Sequence, residues 1–420
     1  MSLGIGSATG RTFMSLRRHY NYRLYFFGQV VSVSGTWMQS VAQAWFVVQY
    51  THSPLAVGLL AVCQFGPYGL FGLFGGAVAD RLDQRKVLMG TQAAFMVTAA
   101  LLAGLTLTGH ATVWEVYVLA GITGLITVLD NPVRQAFTIQ MVGRDELPNA
   151  IALNSSLFNA SRIIGPAIAG GLIAIAGVGI CFLINALSYL AVLAALWLMR
   201  EKDLFPVRKD QGDQNLLRGS LEGLKFAWRL PVIRSVLVMM LVIATISINF
   251  GVLLPVLASR TLNSGPEIFG ILSALFGFGA LVGALFSASL GRASRHTMLI
   301  GAALFSASEI GLAPLHVAWA AGIALVVTGI AFTLYSSQAN ASLQLAVTDQ
   351  MRGRVLGIYG YVFFGTAPIG GLLAGWLAQE GGTQLAFLVA GIVGVAATIY
   401  GWADTGRAAR AALPSIARTA

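Results

Sequence analysis

The sequence predicts an all-α membrane protein with twelve transmembrane helices in two pseudo-symmetric six-helix bundles. Three observations predict it. Of the 420 residues 56% are hydrophobic and only 10% charged, where a soluble globular protein carries about 25% charged residues. Apolar runs of the ~20 residues needed to cross a hydrocarbon core recur twelve times. One long polar gap, 200–230, then separates six runs from six, as in transporters built from repeated halves.

In the first half the runs cover 24–50, 54–79, 87–108, 113–131, 149–176 and 180–199. In the second they cover 231–259, 266–290, 297–314, 317–340, 353–378 and 384–403. Local chemistry sets several boundaries. Ser53-Pro54 and Gly265-Pro266 each place proline at a first helical position, and Asp145 and Asp349 are positioned to cap the helices after them. Asp130 closes the fourth run, and Asn131-Pro132 reads as a cap and restart. The expected organisation is an N-terminal bundle over 1–199, a cytoplasmic linker over 200–230, and a C-terminal bundle with a short tail over 231–420. Arg11, Arg17, Arg18 and Arg23 precede a first run too long for a signal-peptide core, so that run reads as a retained span.

A net charge of +10 in a soluble chain would suggest nucleic acid. Here all the Lys and Arg residues except Arg260 and Arg162 fall in gaps that lie on one side of the membrane. The positive-inside rule makes that side the cytoplasm and places both termini there, in a bacterial inner membrane. Nucleic acid is therefore not an expected partner. Cys63 and Cys181 sit within or beside apolar runs and read as packing residues. The five histidines have no ligand spacing, so no metal is expected. No Gly-x-x-x-x-Gly-Lys-Ser/Thr loop is present to hold ATP, and no cofactor or enzyme activity is indicated.

Gly75–Leu88, GGAVADRLDQRKVL, ends the second run in a knot of charge. Gly76, Ala79, Asp80, Arg81, Arg85 and Lys86 fall on the pattern Gly-x-Leu-Ala-Asp-Arg-x-Gly-Arg-Lys; Asp83 and Gln84 replace its second glycine and an arginine. The stretch resembles the loop-2/3 signature of the major facilitator superfamily. The resemblance extends through the opening RRHYNYRLYFFGQVVSVSGTWMQSVAQAWFVV, DNPVRQAF, RDELPNAIALNSSLFNASRIIGPAIAGGL and RGRVLGIYGYVFFGTAPIGGLLAG. It points to the branch of enterobactin-type siderophore exporters and macrolide-efflux-like proteins. An internal repeat agrees: IIGPAIAGGL (163–172) and GTAPIGGLLAG (365–375) each place proline and paired glycines mid-helix.

The resemblance implies the major facilitator fold and alternating access. It makes Asp80, with Arg81, Arg85 and Arg134, a latch closing the cytoplasmic side. Gly165-Pro166-x-x-x-Gly170-Gly171 resembles an antiporter signature with one extra residue. With Pro368 in the second half, it is expected to form hinges or close packing seams. The resemblance also makes the first, fourth, seventh and tenth helices cavity-lining. That would turn Gln39, Gln43, Asn249, Tyr335 and Gln338 toward a substrate, although each could equally bond a neighbouring helix.

Charge inside a bilayer is costly and marks function by default. Arg162 lies roughly 20 Å along its helix from Asn149 at about 1.5 Å per residue, near mid-membrane. Ser155, Asn159 and Arg162 share one face. That stripe either lines a cavity, where Arg162 meets an anionic group, or Arg162 ties helices together through Asp130 or backbone carbonyls. Asp130 itself is a latch or a proton carrier, and Glu309 in the ninth run is a second proton candidate.

The expected function is secondary active, proton-coupled export of a small amphipathic compound: a siderophore, macrolide or other drug-like molecule. Expected partners are that substrate, protons and membrane lipids, with the chain working as a monomer. The alternatives are a lipid or lysolipid flippase of the same fold and a non-transporting membrane sensor or assembly protein.

Overall fold

The computed structural model describes residues 13–79, 82–206, 216–291 and 293–416, and these are almost wholly helical. A short α1 (Met14–Arg18) leads into α2 (Tyr20–Thr51), α3 (Pro54–Ala79), α4 (Gln84–Leu107), α5 (Val113–Val142), α6 (Leu147–Ala176) and α7 (Val178–Leu198). Within the 200–230 linker lies α8 (Leu216–Arg229), and beyond it come α9 (Pro231–Ile246), α10 (Phe250–Val256), α11 (Pro266–Ser289), α12 (Arg295–Leu312), α13 (Ala318–Ala346), α14 (Asp349–Gly365) and α15 (Ala367–Ile416).

Among the described residues nine stretches are long and apolar enough to cross a membrane. The longest, Arg354–Asp404, is interrupted by non-helical backbone at Gly381 and Gly382. Two expected spans are missing from the nine: α2, which buries Gln29, Gln39 and Gln43, and α12, which carries Arg295, His296 and Glu309. Both are helical for 18 residues or more. The protein is thus a multi-pass membrane protein. Trp114, Trp197, Trp319 and Trp402, all exposed, sit near helix ends, where amphipathic rings favour the membrane–water boundary.

Three local expectations change. The fourth span does not restart at Pro132, because α5 runs unbroken through it. Proline there removes one backbone donor, a loss that membrane helices tolerate when neighbours satisfy the freed carbonyl. Glu146, not Asp145, occupies the N-cap of α6, and Pro148 fills its first turn. Thr348, not Asp349, occupies the N-cap of α14. By contrast, Ser53 Oγ accepts from the Ala56 amide at 3.3 Å, as its sequence position suggests.

The seventh and eleventh spans are each broken near their middles. α9 stops at Ile246, and the Asn249 amide folds back to donate to the carbonyls of Thr245 and Ile246 at 2.9 and 3.1 Å. α14 stops at Gly365 and α15 restarts at Ala367. Pro368 lies in that new first turn, where its missing N–H costs no helical bond. The two breaks abut: a Cβ on Gly370 would lie 2.8 Å from Asn249 Oδ1.

Helices α2–α7 pack on one another, as do α9–α15, and the groups meet chiefly through α6 against α11 and α3 against α15. One end of the molecule carries α1, residues 200–206, α8 and Asp404 and is termed the linker face. Near the opposite face the groups are closed together. Cβ atoms built on Gly170 and Gly270 would each lie within 3 Å of the other helix's backbone, Trp45 stacks on Phe269 at 6.0 Å, and Arg260 donates to the His52 carbonyl. Toward the linker face Ile151 and Phe158 of α6 are exposed, while Tyr361 of α14 donates to the Gly69 carbonyl of α3 across the groups.

Candidate functional site

Residues on the linker-face half of α5 and α6 line a cavity of about 560 Å³, among them Gln135, Asn154, Ser155, Phe158 and Asn159. Asn159 donates to the Ser155 carbonyl at 2.8 Å, so its own helix already takes one amide hydrogen. One turn above lies Arg162, half-buried. Its guanidinium sits over three rings: Phe276 of α11 at 4.8 Å, and Trp37 of α2 and Phe332 of α13 at 5.8 Å each. Phe158 packs edge-on against Trp37 at 5.5 Å. Each cation–ring contact contributes on the order of 0.5–2 kcal/mol. Among the described residues Arg162 forms no ion pair and its guanidinium makes no hydrogen bond. The sequence alternative that tied it to Asp130 is not realised, because Asp130 is engaged elsewhere.

Asp130 is 2% exposed and fully bonded. Its Oδ1 accepts from Thr91 Oγ1 at 2.7 Å and Gln92 Nε2 at 2.8 Å. Its Oδ2 accepts from Arg134 Nη2 at 2.6 Å and Nε at 3.1 Å. Arg134 also donates to Gln29. This cluster joins α2, α4 and α5 within the first group. A buried carboxylate and guanidinium are tolerable here because each has both a counter-charge and hydrogen bonds. Gln135, next in the chain to Arg134, lines the cavity, and the Arg134 side chain is 27% exposed.

Glu309 is 0% exposed, and neither carboxyl oxygen has a hydrogen-bond partner. Ser247, at the α9 break, lies beside it but donates to the Ala390 carbonyl at 3.1 Å. This acid therefore sits inside the second group, away from the cavity wall.

Of the expected latch residues, Asp80 and Arg81 lie outside the described residues. Arg85 bonds within the first group, to the Leu196 carbonyl at 2.9 Å and Glu201 at 2.5 Å, and so holds α4 to the end of α7. Arg134 is committed to Asp130. Neither reaches the second group in this arrangement.

The neutral polar set does not gather at one cavity. Gln39 accepts from Asn185 of α7 at 2.7 Å, and Gln43 accepts from Gln64 of α3 at 2.9 Å. Tyr335 points its hydroxyl at Met240 Sδ of α9, 3.8 Å away. Gln338 bridges Ser287 at 3.0 Å and the Ser294 amide at 2.8 Å, and Asn249 closes the α9 break. Each satisfies itself inside its own group, as a polar side chain in lipid must.

The hinge residues divide similarly. Gly165 packs on α2, where an added Cβ would lie 2.6 Å from Trp37 Cβ. Pro166 and Gly170 meet Gly270 across the groups, while Gly171 has nothing within 4 Å. Sequence reasoning missed Phe276, Phe332, Gln29, Thr91 and Gln92. Phenylalanine in an apolar run carries no mark, but the buried acid at Asp130 did signal that polar partners had to exist.

Two packed groups of helices, closed against each other near one face and with a cavity along α5 and α6 toward the other, have the architecture of a secondary transporter of the major facilitator type. Residues 11–412 match the transmembrane secretion effector family, and the chain belongs to that family. Its relatives include the staphyloferrin A transporter of Staphylococcus aureus, 26% identical with 87% of this chain and 91% of that one aligned. The macrolide efflux protein A of Streptococcus pyogenes is 23% identical over 90% of this chain and 95% of its own. The enterobactin exporter of Shigella flexneri is 27% identical over 82% of each. A bacterial homologue of the human lysosomal transporter Spinster, solved inward-facing and occupied, superposes with a TM-score of 0.73 over 92% of this chain and 96% of that one, at 13% identity. That likeness establishes the shared fold.

Proposed function

We propose that this protein is a proton-coupled exporter of a small amphipathic compound, a siderophore, macrolide or other drug-like molecule, acting as a monomer. The bundles 1–199 and 231–420 rock about the central cleft, with the 200–230 linker and both termini in the cytoplasm of a bacterial inner membrane. The observation that carries the reading is the cleft itself. It lies along the linker-face half of α5 and α6, on the side where the basic residues concentrate, and one turn beyond it stands an unpaired guanidinium among aromatic rings. An exporter must collect its substrate from that side. The relatives' names, covering export and efflux, favour the same direction.

The test is counterflow and pH-gradient-driven uptake in inside-out proteoliposomes with siderophores, macrolides, cationic dyes and lysolipids. Accumulation that collapses with a protonophore supports the reading. Transport of lysolipids alone would turn it into a flippase, and inertness toward the whole panel would favour the sensor alternative.

Coupling is assigned to Asp130, whose partner Arg134 is partly exposed and adjoins the cavity-lining Gln135 in the chain, ahead of Glu309, which is 0% exposed. Glu309→Gln keeps the shape and removes the titratable proton, so gradient-driven accumulation should stay within about twofold of wild type. Lost accumulation with preserved exchange would move the coupling site to Glu309. Asp80 is proposed as the acid of the cytoplasmic latch. Asp80→Asn should lower turnover at least about tenfold with no change in the size-exclusion profile; wild-type turnover would end that assignment.

A further inference from the structure

A guanidinium carries five N–H donors in a planar fork and no acceptor. In Arg162 those donors meet no carboxylate, carbonyl or hydroxyl among the described residues. What surrounds it is aromatic: Phe276 at 4.8 Å, with Trp37 and Phe332 at 5.8 Å. Rings attract the cation through their faces but accept no strong hydrogen bond, so the edge of the fork stays unsatisfied. The nearby acid that could pair with it, Asp130, already has four donors. A charge is expensive at this depth, and here the fold supplies it with everything except a counter-ion.

Resting on the exporter reading, we infer that Arg162 is the anion subsite of the transported compound, and that the substrate carries a carboxylate-type oxyanion on an aromatic or apolar body. A carboxylate matches the guanidinium fork with two parallel N–H···O bonds. Trp37, Phe276 and Phe332 would flank the attached body, and Phe158 and Asn159 continue the path toward the linker face. A cationic compound of the same shape meets like charge at the end of the cleft and is rejected. The subsite spans both groups, since Arg162 and Trp37 come from the first and Phe276 and Phe332 from the second. Its geometry is therefore complete only while the groups are closed at the opposite face.

The test uses the purified full chain and two dyes on one xanthene core, anionic carboxyfluorescein and cationic rhodamine 123. Binding is read by fluorescence polarisation and transport by uptake into inside-out proteoliposomes. Wild type should bind and move carboxyfluorescein in preference. Arg162→Gln should weaken its binding by at least about tenfold, and Arg162→Lys, which keeps the charge, should recover part of the loss. Rhodamine 123 should change by less than about twofold. Thermal unfolding of Arg162→Gln near the wild-type temperature excludes misfolding, and where that variant fails to fold, Arg162→Lys and the wild-type dye preference decide. Preference for rhodamine 123, equal binding of both dyes by Arg162→Gln and wild type, or a panel in which only neutral and cationic compounds move overturns the anion subsite while the exporter reading stands. A wild type that moves neither dye nor any panel compound overturns the exporter reading itself, and the subsite with it.

Discussion

Gly170→Leu should lower transport by at least tenfold and leave the protein folded. Gly170 crosses Gly270 where α6 meets α11, and a single Cβ there would already lie 2.8 Å from the Pro266 carbonyl oxygen and 2.9 Å from Gly270 Cα. These are backbone atoms and cannot swing aside. Overpacking of this kind costs about 1–3 kcal/mol, and about 1.4 kcal/mol is a factor of ten in a population. The cost falls only on the arrangement closed at the opposite face, so the equilibrium shifts about tenfold to a hundredfold toward the arrangement parted there. Gly171→Leu is the control. With nothing within 4 Å of its Cβ position, it should leave transport within about twofold. A cysteine placed at Ser53, in a background lacking Cys63 and Cys181, should label faster with a membrane-impermeant maleimide when Gly170 is leucine. Unchanged labelling and unchanged transport together would show that this seam is not the gate.

The seam also shows what a sequence discloses and what it withholds. IIGPAIAGGL marks its helix as a close-packing one, but Gly170 and Gly171 are adjacent and chemically equal in the string. Their difference is angular: 100° of helical turn puts one against α11 and leaves the other without a neighbour. The same limit applies to Gln39 and Gln43. Spacing places them on one helical face without saying which neighbour that face meets, and Asn185 and Gln64 claim them inside the first group. Arg162 and Asp130 were legible because charge within or at the end of an apolar run needs an explanation. The identity of their surroundings was not. A phenylalanine that cages a guanidinium and one that faces lipid read alike, and Thr91 and Gln92 reach Asp130 only through tertiary packing. The nearly all-helical, multi-pass character was legible from hydropathy, whereas the break in the seventh span at Ser247–Asn249 was not. It depends on one asparagine amide turning back onto carbonyls of its own helix.

Asp130→Asn should separate exchange from accumulation. Asparagine fills nearly the same volume and can still accept from Thr91 and Gln92 through its amide oxygen, so the joint between α4 and α5 is retained. What disappears is the charge opposite Arg134 and the carboxyl group of the cluster. Arg134 keeps Gln29 as an acceptor and is partly exposed, so its orphaned charge is hydrated rather than stranded. The expected cost to folding is about 1–3 kcal/mol. Counterflow, which needs only the rocking of substrate-loaded protein, should stay within about threefold of wild type. Uptake driven by a pH gradient should fall to simple equilibration. Arg134→Ala makes the opposite lesion, leaving a 2%-exposed carboxylate without its cation, at a cost of about 3–5 kcal/mol, and should appear first as a lowered melting temperature. If Asp130→Asn loses exchange and accumulation together, the pair is a structural brace or a latch. If it keeps both, protons are carried elsewhere, and Glu309, a second acid buried in a spanning helix, becomes the site to test.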